Sequence, residues 1–377
     1  MSKERDAMKR KLEGIHTKTL KSYGERSSIL GNERYELNVV PSPSLMLDYK
    51  LGKGGFPYGA MVEIFGGNGL GKTTVLAYGT IANVQKEGKL PALIAMEPHA
   101  GHQQTVEWAV KLHGLDPDLL LIQYPDNVTE AFEMLYDLVF DYDIDYIVFD
   151  SIGAMGHASS QEGGKKKAYG VSSEVTSGLN DVMPRLYKAN KGLMILNQQR
   201  QAGAANGNTF YESPGGEALK HHALVRIQVK PGHEKYYSII DGEKVMVGRE
   251  LKCTFKKNKM AQAVNKSAEF TFFHIETEEY GVGIDRVSDV INTGKLAGVI
   301  KSAGSWLQHD VFPKGQVQGV AKAKKFFEEN PDAYGAIRDD VIKSMLRTEE
   351  EIATQKRDAK RKTVEKEAKA NGEEGDE

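Results

Sequence analysis

The residues best placed to do chemistry lie in GGNGLGKTT, positions 66–74, which fits the spacing G-x-x-x-x-G-K-[ST] with Gly66, Gly71, Lys72 and Thr73 in the defining places. Glycines at Gly66, Gly67, Gly69 and Gly71 let successive backbone N–H groups curl around phosphate oxygens without a Cβ in the way. Asn68, Leu70 and Thr74 complete the loop. Lys72 is placed to reach β- and γ-phosphates and Thr73 to hold Mg²⁺ through its hydroxyl. The context agrees: MVEIF (61–65) reads as a strand entering the loop, and TTVLAYGTIANVQKEG as a helix leaving it, with Gly88 as its stop.

Three more apolar runs end in polar residues. YIVFD delivers Asp150 and then Ser151, an acid able to hold Mg²⁺. ALIAM delivers Glu97, a carboxylate able to orient and deprotonate a water, and LMILN delivers Asn197 and Gln198, an amide able to sense a γ-phosphate. In an open parallel sheet ligands sit beyond the carboxyl ends of the strands, so these residues on one edge predict an NTP-hydrolysing site. His99 and His102 lack metal-ligand spacing and read as hydrogen-bonding or surface residues. Trp108 reads equally as a base-stacking or a core residue.

The elements that must position these groups are legible as alternating apolar strands and helical segments from about 45 to 230, the pattern of a parallel α/β sheet. LVRIQVK (224–230) supplies a fifth strand. LKCTFKKN and EFTFFHIE suggest an antiparallel extension, and the pattern turns helical from about 285. AMKRKLEGIHTKTLKS (7–22) reads as a small amphipathic helix, with Met8, Leu12, Ile15 and Leu20 among charges. Beyond 348 the chain is rich in Lys, Glu and Ala and reads as a charged helix or a disordered tail.

Composition bounds the rest. A chain of 377 residues with 40% hydrophobic content can bury a substantial core. The absence of a long apolar run or a secretory-type leader predicts a cytoplasmic protein with no membrane contact. Cys253, the single cysteine, excludes an internal disulfide and reads as a buried apolar residue. A net charge of −2 does not announce a nucleic-acid binder, although a basic head and the acidic end NGEEGDE divide the charge unevenly.

Taken in order, SLMLDYKLGKGGFPYGAMVEIFGGNGLGKTT, AMEPHAGH, YIVFDSIGAM, LNQQRQ, SPGGEALKHHALVRIQV and FKKNKMAQ resemble the RecA recombinases across residues 8–347. The resemblance implies a RecA-type P-loop ATPase core with a mostly parallel central sheet (36–276). It also implies an N-terminal polymerisation helix and linker (1–35), a small C-terminal α+β domain (277–347) and a charged tail (348–377). It implies a DNA-dependent ATPase that uses ATP and Mg²⁺, forms helical filaments on single-stranded DNA and exchanges strands with homologous double-stranded DNA in recombination and repair. Lys72, Glu97 and Gln198 would be catalytic, and Thr73 and Asp150 the metal ligands. Lys257 and Lys259 would reach a neighbouring subunit's ATP, while Lys220 and His221 would lie at the subunit interface.

The same resemblance marks 157–168 and 199–214 as DNA-binding loops. Lys165, Lys166, Lys167 and Arg200 would supply cations, and backbone freed by Gly203, Gly207, Gly215 and Gly216 would supplement them, with Asn206 and Phe210 in the second loop. This chain departs from the family pattern in four places, one of them the extra residues around HAGHQQ after Glu97. The first half of its second loop is QAGAANGN, with bulk delayed to Phe210 and Tyr211. The P-loop interior is GNGL, and His221 stands where the family carries an aromatic residue. Ring-forming motors share the P-loop and both acids, and an ATP-clamped DNA-binding regulator is a second alternative. The N-terminal helix and the KNK segment at 257–259 favour a filament over a ring, and Glu97 favours turnover over a clamp.

Overall fold

The computed structural model describes residues 2–23, 37–154, 168–203, 209–261 and 267–345. The polymer divides into two compact units, Met1–Asn38 and Val39–Glu377. In the first, helix α1 (Ser2–Tyr23) leaves its apolar positions Met8, Leu12, Ile15 and Leu20 exposed.

The second unit opens with a two-stranded pair, β1 (Val39–Val40) and β2 (Phe56–Pro57), around helix α2 (Leu45–Leu51). Its centre is a nine-stranded sheet. In chain order the strands are β3 (Met61–Gly66), β4 (Pro91–Ala95), β5 (Leu121–Gln123), β6 (Tyr146–Asp150) and β7 (Gly192–Gln198). After β8 (Arg200–Gly203) and β9 (Thr209–Glu212), which pair only with each other, come β10 (Ala223–Ile240), β11 (Glu243–Asn258), β12 (Ser267–Phe273) and β13 (Gly283–Ile284). The order across the sheet is β13-β12-β11-β10-β3-β7-β6-β4-β5. From β10 to β5 all neighbours are parallel, and β11, β12 and β13 add on antiparallel.

The near-continuous apolar runs follow from this layering. β3, β4 and β6 are buried along their whole length because helices cover both faces. One face packs on α3 (Tyr78–Lys86) and α4 (Gln103–His113), with Leu76, Ile81 and Leu112 in the contact. The other packs on α5 (Val128–Phe140) and α6 (Ala168–Lys188) through Phe132, Leu135, Leu179 and Leu186. Asn127 starts α5 by accepting from Glu130 N while Glu130 accepts from Asp126 N, a reciprocal cap. Gly192 allows β7 to pass Tyr146, because a Cβ there would meet the ring at 2.2 Å.

A short helix, α7 (Gly216–His222), precedes β10. Beyond the sheet, α8 (Arg286–Leu296), the strands β14 (Lys301–Ala303), β15 (Trp306–Gln308) and β16 (Gln316–Gln318), and helices α9 (Gly319–Glu329) and α10 (Pro331–Met345) follow. They enclose a separate apolar cluster around Val290, Ile291, Phe312, Phe327 and Ile337. Among the described residues no helix is long and apolar enough to cross a membrane.

The structure differs from the sequence reading in three places. β5 is short and carries an exposed Leu121 at the sheet edge, too few residues to show alternation. The segment 199–214, expected as a loop, is paired at its two ends, Arg200 opposite Glu212 and Gly203 opposite Thr209. The helix expected directly after the P-loop begins with a wide turn over Lys72–Ala77. Gly71 O accepts from both Val75 N and Leu76 N, and His113 Nε2 donates to Thr74 O at 2.8 Å. Tyr78 N bonds to Thr73 O and Val75 O.

Candidate nucleotide site

Strand β3 is buried between β10 and β7 and ends at Gly66, so the loop after it emerges at the carboxyl edge of the sheet. Gly69 and Gly71 hold φ of +64° and +73°, conformations that favour glycine. Gly66 is required by space: a Cβ would sit 2.4 Å from Val229 O on β10. Lys72 folds back over the loop, and its Nζ donates to Gly67 O at 2.8 Å and Gly66 O at 3.2 Å. Burial lowers its pKa, while Asp150 and Glu97 pull the other way.

The strand-end residues converge on the same cleft, whose volume is about 350 Å³. Thr73 Oγ1 donates to Asp150 Oδ2 at 2.7 Å. Asp150 is 3% exposed, and burial pushes its carboxyl up to about 6 against the opposing hydrogen bond from Thr73. Glu97 Oε1 accepts from Gln198 Nε2 and from Ser151 Oγ, both at 2.7 Å, and Glu97 Oε2 lies 3.1 Å from His99 Nε2. The Glu97 carboxylate beyond β4, the Gln198 amide of β7, the Asp150 carboxylate of β6 and the Thr73 hydroxyl of the P-loop thus share one opening. Asn68, Leu70 and Thr74 also line it.

Asn197 parts from its neighbour Gln198. It is fully buried and donates to Glu63 Oε1 and Pro214 O, so it ties strand to strand instead of facing the cleft. Trp108 is 41% exposed on α4, which removes the core-packing alternative. It does not line the cleft, although Thr105 one turn earlier does. His102 caps α4 through Nδ1, accepting from Gln104 N, and His99 is exposed apart from its contact with Glu97. Cys253 is buried, which pushes its thiol up to about 12.

The remaining predicted residues lie elsewhere. Lys257 Nζ donates to the carbonyls of Lys220 and His221 at the end of α7, 2.8 and 2.9 Å away. Lys259 follows, with its backbone N bonded to Leu224 O, and neither lysine lines the cleft of its own chain. Lys220 Nζ pairs with Glu217, and the His221 ring meets that of His222 edge-on at 5.8 Å. Gly215 and Gly216, φ +109° and +78°, start α7 directly after β9. Arg200 and Gly203 lie on β8 and Phe210 on β9. Lys165, Lys166, Lys167, Asn206 and Gly207 fall outside the described residues.

A model of the RecA N-terminal domain matches residues 9–279. Protein RecA of Arthrobacter sp. is 34% identical over 320 residues, 83% of this chain and 84% of its own. Protein RecA of Ruminococcus albus is 34% identical over 341 residues, covering 89% and 80%. That of Bifidobacterium longum is 35% identical over 316 residues, covering 82% and 74%.

The chain belongs to the RecA family. It is accordingly a nucleotide-binding, DNA-dependent ATPase of homologous recombination and DNA repair, and its α/β core is the RecA type. Within this RecA-family core, several contacts at the site escaped the sequence reading. Arg249 Nη2 on β11 donates to Gly69 O at 2.8 Å and braces the P-loop from a strand 180 residues away. Gln199 N bonds to Gly66 O, and its side-chain Oε1 accepts from Gln228 Nε2. Glu63, fully buried in β3, pairs with Arg226 on β10, whose Nη2 also donates to Ser213 Oγ. Glu63 carried one legible signal, a lone charge within an apolar strand.

Proposed function

We propose that the cleft at the ends of β3, β4, β6 and β7 hydrolyses ATP with Mg²⁺. We further propose that turnover is coupled to a helical filament on single-stranded DNA, which pairs with homologous duplex. The observation that supports this most is the pair of 2.7 Å contacts, Thr73 to Asp150 and Gln198 to Glu97, meeting at one opening above the P-loop.

Thr73 Oγ1 and Asp150 Oδ2 are hard oxygen donors of the kind Mg²⁺ takes, and a buried carboxylate pushed up to about 6 gains from a cation beside it. These two residues would hold the ion. Once bound, it would neutralise charge on the β- and γ-phosphate oxygens. Lys72, released from the carbonyls of Gly66 and Gly67, binds the same phosphates. Glu97 orients a water for in-line attack on the γ-phosphorus and takes its proton as the bond to the β–γ bridging oxygen breaks and ADP leaves, while Ser151 and His99 fix the carboxylate. Gln198 exchanges its bond to Glu97 for one to the γ-phosphate. It is the last residue of β7, so this exchange reaches the segment 199–214 that follows.

Segments 157–168 and 199–214 hold DNA through Lys165, Lys166, Lys167 and Arg200, with backbone N–H groups around Gly203, Asn206, Gly207, Gly215 and Gly216, and with Phe210. Phosphate contacts suit a protein that accepts any sequence and leaves pairing to the bases. Trp108 stacks on the adenine. Lys257 and Lys259 reach a neighbouring subunit's ATP, with Lys220 and His221 at that interface. The exposed apolar side of α1 docks on the next copy, a heterologous contact that does not close. The functional units are 1–35, 36–276, 277–347 and the tail 348–377, in a cytoplasmic protein.

The test is ATP hydrolysis with and without long single-stranded DNA, with Lys72→Ala as the blank. DNA stimulation that vanishes in the blank is expected. A rate indifferent to DNA would overturn the coupling.

A further inference from the structure

A second cleft, about 420 Å³ in volume, is lined by residues of α3, α8 and α10. Three cations line it: Lys86 from the end of α3, Arg286 from the start of α8 and Arg338 from α10. Residues 86, 286 and 338 come together only through the fold. Lys86 is curled inward, with Nζ donating to Asn83 Oδ1 and to His113 O at 3.2 Å.

Three carboxylates, Asp48, Glu87 and Asp289, line the same cleft, and their oxygens are engaged by other donors. Asp289 accepts from Leu45 N, Met46 N and Ser44 Oγ, and Asp48 accepts from Ser42 N. Burial raises both carboxyls, Asp289 to about 6, and Arg338 opposes the rise at Asp48. Glu87 is taken by Tyr58 and Lys89, and Asp285 by Lys324 and Ser288. Among the described residues no carboxylate oxygen lies within 4.0 Å of Arg286. Among the described residues the carboxylate oxygen within 4.0 Å of Arg338 is that of Asp339, at 3.8 Å, and Asp48 lies near enough to feel its charge.

None of Lys86, Arg286 and Arg338 has a carboxylate of the cleft within 4.0 Å, so the three cations repel one another with no close counter-ion among the lining residues. That repulsion registers on two neighbours: Lys86 has its pKa lowered by burial and then by Arg286 and Arg338, and His113 is brought down to about 4 by burial and by Arg286 and Lys86. Two guanidiniums and an ammonium match the oxygens of a phosphate group. Tyr334 and Asn83 add a ring and an amide to the wall. The concavity is of a size that encloses small ligands.

We propose that this cleft is an anion site, distinct from the P-loop, that takes a small phosphate-bearing molecule between Lys86, Arg286 and Arg338. Its lining includes His113, whose Nε2 donates to Thr74 O in the wide first turn after the P-loop. A ligand seated here would lie beside a residue bonded to Thr74, which lines the nucleotide cleft.

The experiment uses the full chain with Lys72→Ala, to weaken the P-loop, and inorganic pyrophosphate as the probe in calorimetry at low salt. Binding is expected, and adding Arg286→Gln or Arg338→Gln should weaken it at least about tenfold. Arg286→Lys should retain most of the affinity, and Lys301→Gln, an exposed lysine on β14, should leave it unchanged. Thermal melts confirm that each variant is folded. The proposal fails if pyrophosphate does not bind, if Lys301→Gln weakens it as much as Arg286→Gln, or if Arg286→Lys loses as much as Arg286→Gln. A 30-base-pair duplex that displaces pyrophosphate only when Arg286 is intact would also overturn it, by making DNA the occupant.

Discussion

Asp150 and Asp289 are the same residue type, 3% and 6% exposed, each with its carboxyl pushed up to about 6 by burial. What differs is how their oxygens are used. Asp289 takes two backbone N–H groups and a serine hydroxyl from residues 44–46, and so joins the C-terminal helices to α2. Asp150 takes one side-chain donor, the Thr73 hydroxyl, and faces an open cleft with Lys72 and Glu97 beside it. Burial and a raised pKa therefore do not by themselves mark a functional acid. Acceptor capacity left over at the mouth of a cleft does.

The widest separation between the two regions should appear in hydrolysis. Glu97→Gln is expected to lower the DNA-stimulated rate by about 10²–10⁴-fold with ATP binding retained, measured by turnover and equilibrium binding. Asp150→Asn should cost on the order of 10²-fold or more with little change in melting temperature. A normal rate in Asp150→Asn would erase the contrast with Asp289.

Glu63, a third buried acid, extends the comparison. Its oxygens are filled by Arg226 and Asn197, so it should behave as a structural group. Arg226→Ala leaves its charge unpaired and should cost about 3–5 kcal/mol of stability in denaturant unfolding. Asp289→Asn should cost about 1–3 kcal/mol while hydrolysis stays at the wild-type level. Loss of activity in a folded Asp289→Asn would break the division between the regions.

The pH response sharpens it further. The Asp289 carboxyl titrates at about 6 in the fold and at 3.8 in the unfolded chain, so between those values the folded state holds more protons. Stability from this group therefore rises as pH falls from about 6 towards 4, and the charged form is the costly one above pH 6. The stability advantage of wild type over Asp289→Asn should widen between pH 7 and pH 5 in parallel melts. A gap that narrows instead would mean the carboxylate is the favoured form. The smallest effect is expected for Arg249→Ala, which removes one brace from Gly69 O and should weaken ATP binding a few-fold, about 0.5–1.5 kcal/mol.

Most of the nucleotide site was legible in sequence because its residues sit at fixed offsets from strand ends. Gly66 to Thr74 are contiguous, and Asp150, Glu97 and Gln198 each close a run of apolar residues. Central strands were readable for the same reason: burial on both faces leaves them almost wholly apolar. β5 was not, since three half-covered edge residues carry no pattern. Arg249 and His113 were missed because a donor that serves a distant carbonyl looks like any surface polar residue. Trp108 was undecidable, since an aromatic at helical spacing reads alike whether it faces core or solvent.

The sequence by itself determined the P-loop, the acids and amide that face it, the parallel core with its antiparallel extension, and the family. All of these rest on local spacing and on hydrophobic period, which neighbouring residues carry. Only the tertiary structure decided that Asn197 leaves the site that Gln198 joins, that His113 bonds to Thr74 O beside the P-loop, and that Lys86, Arg286 and Arg338 line one cleft. Those outcomes depend on contacts between residues tens to hundreds of positions apart, and no local pattern encodes which long-range partner a polar group will find.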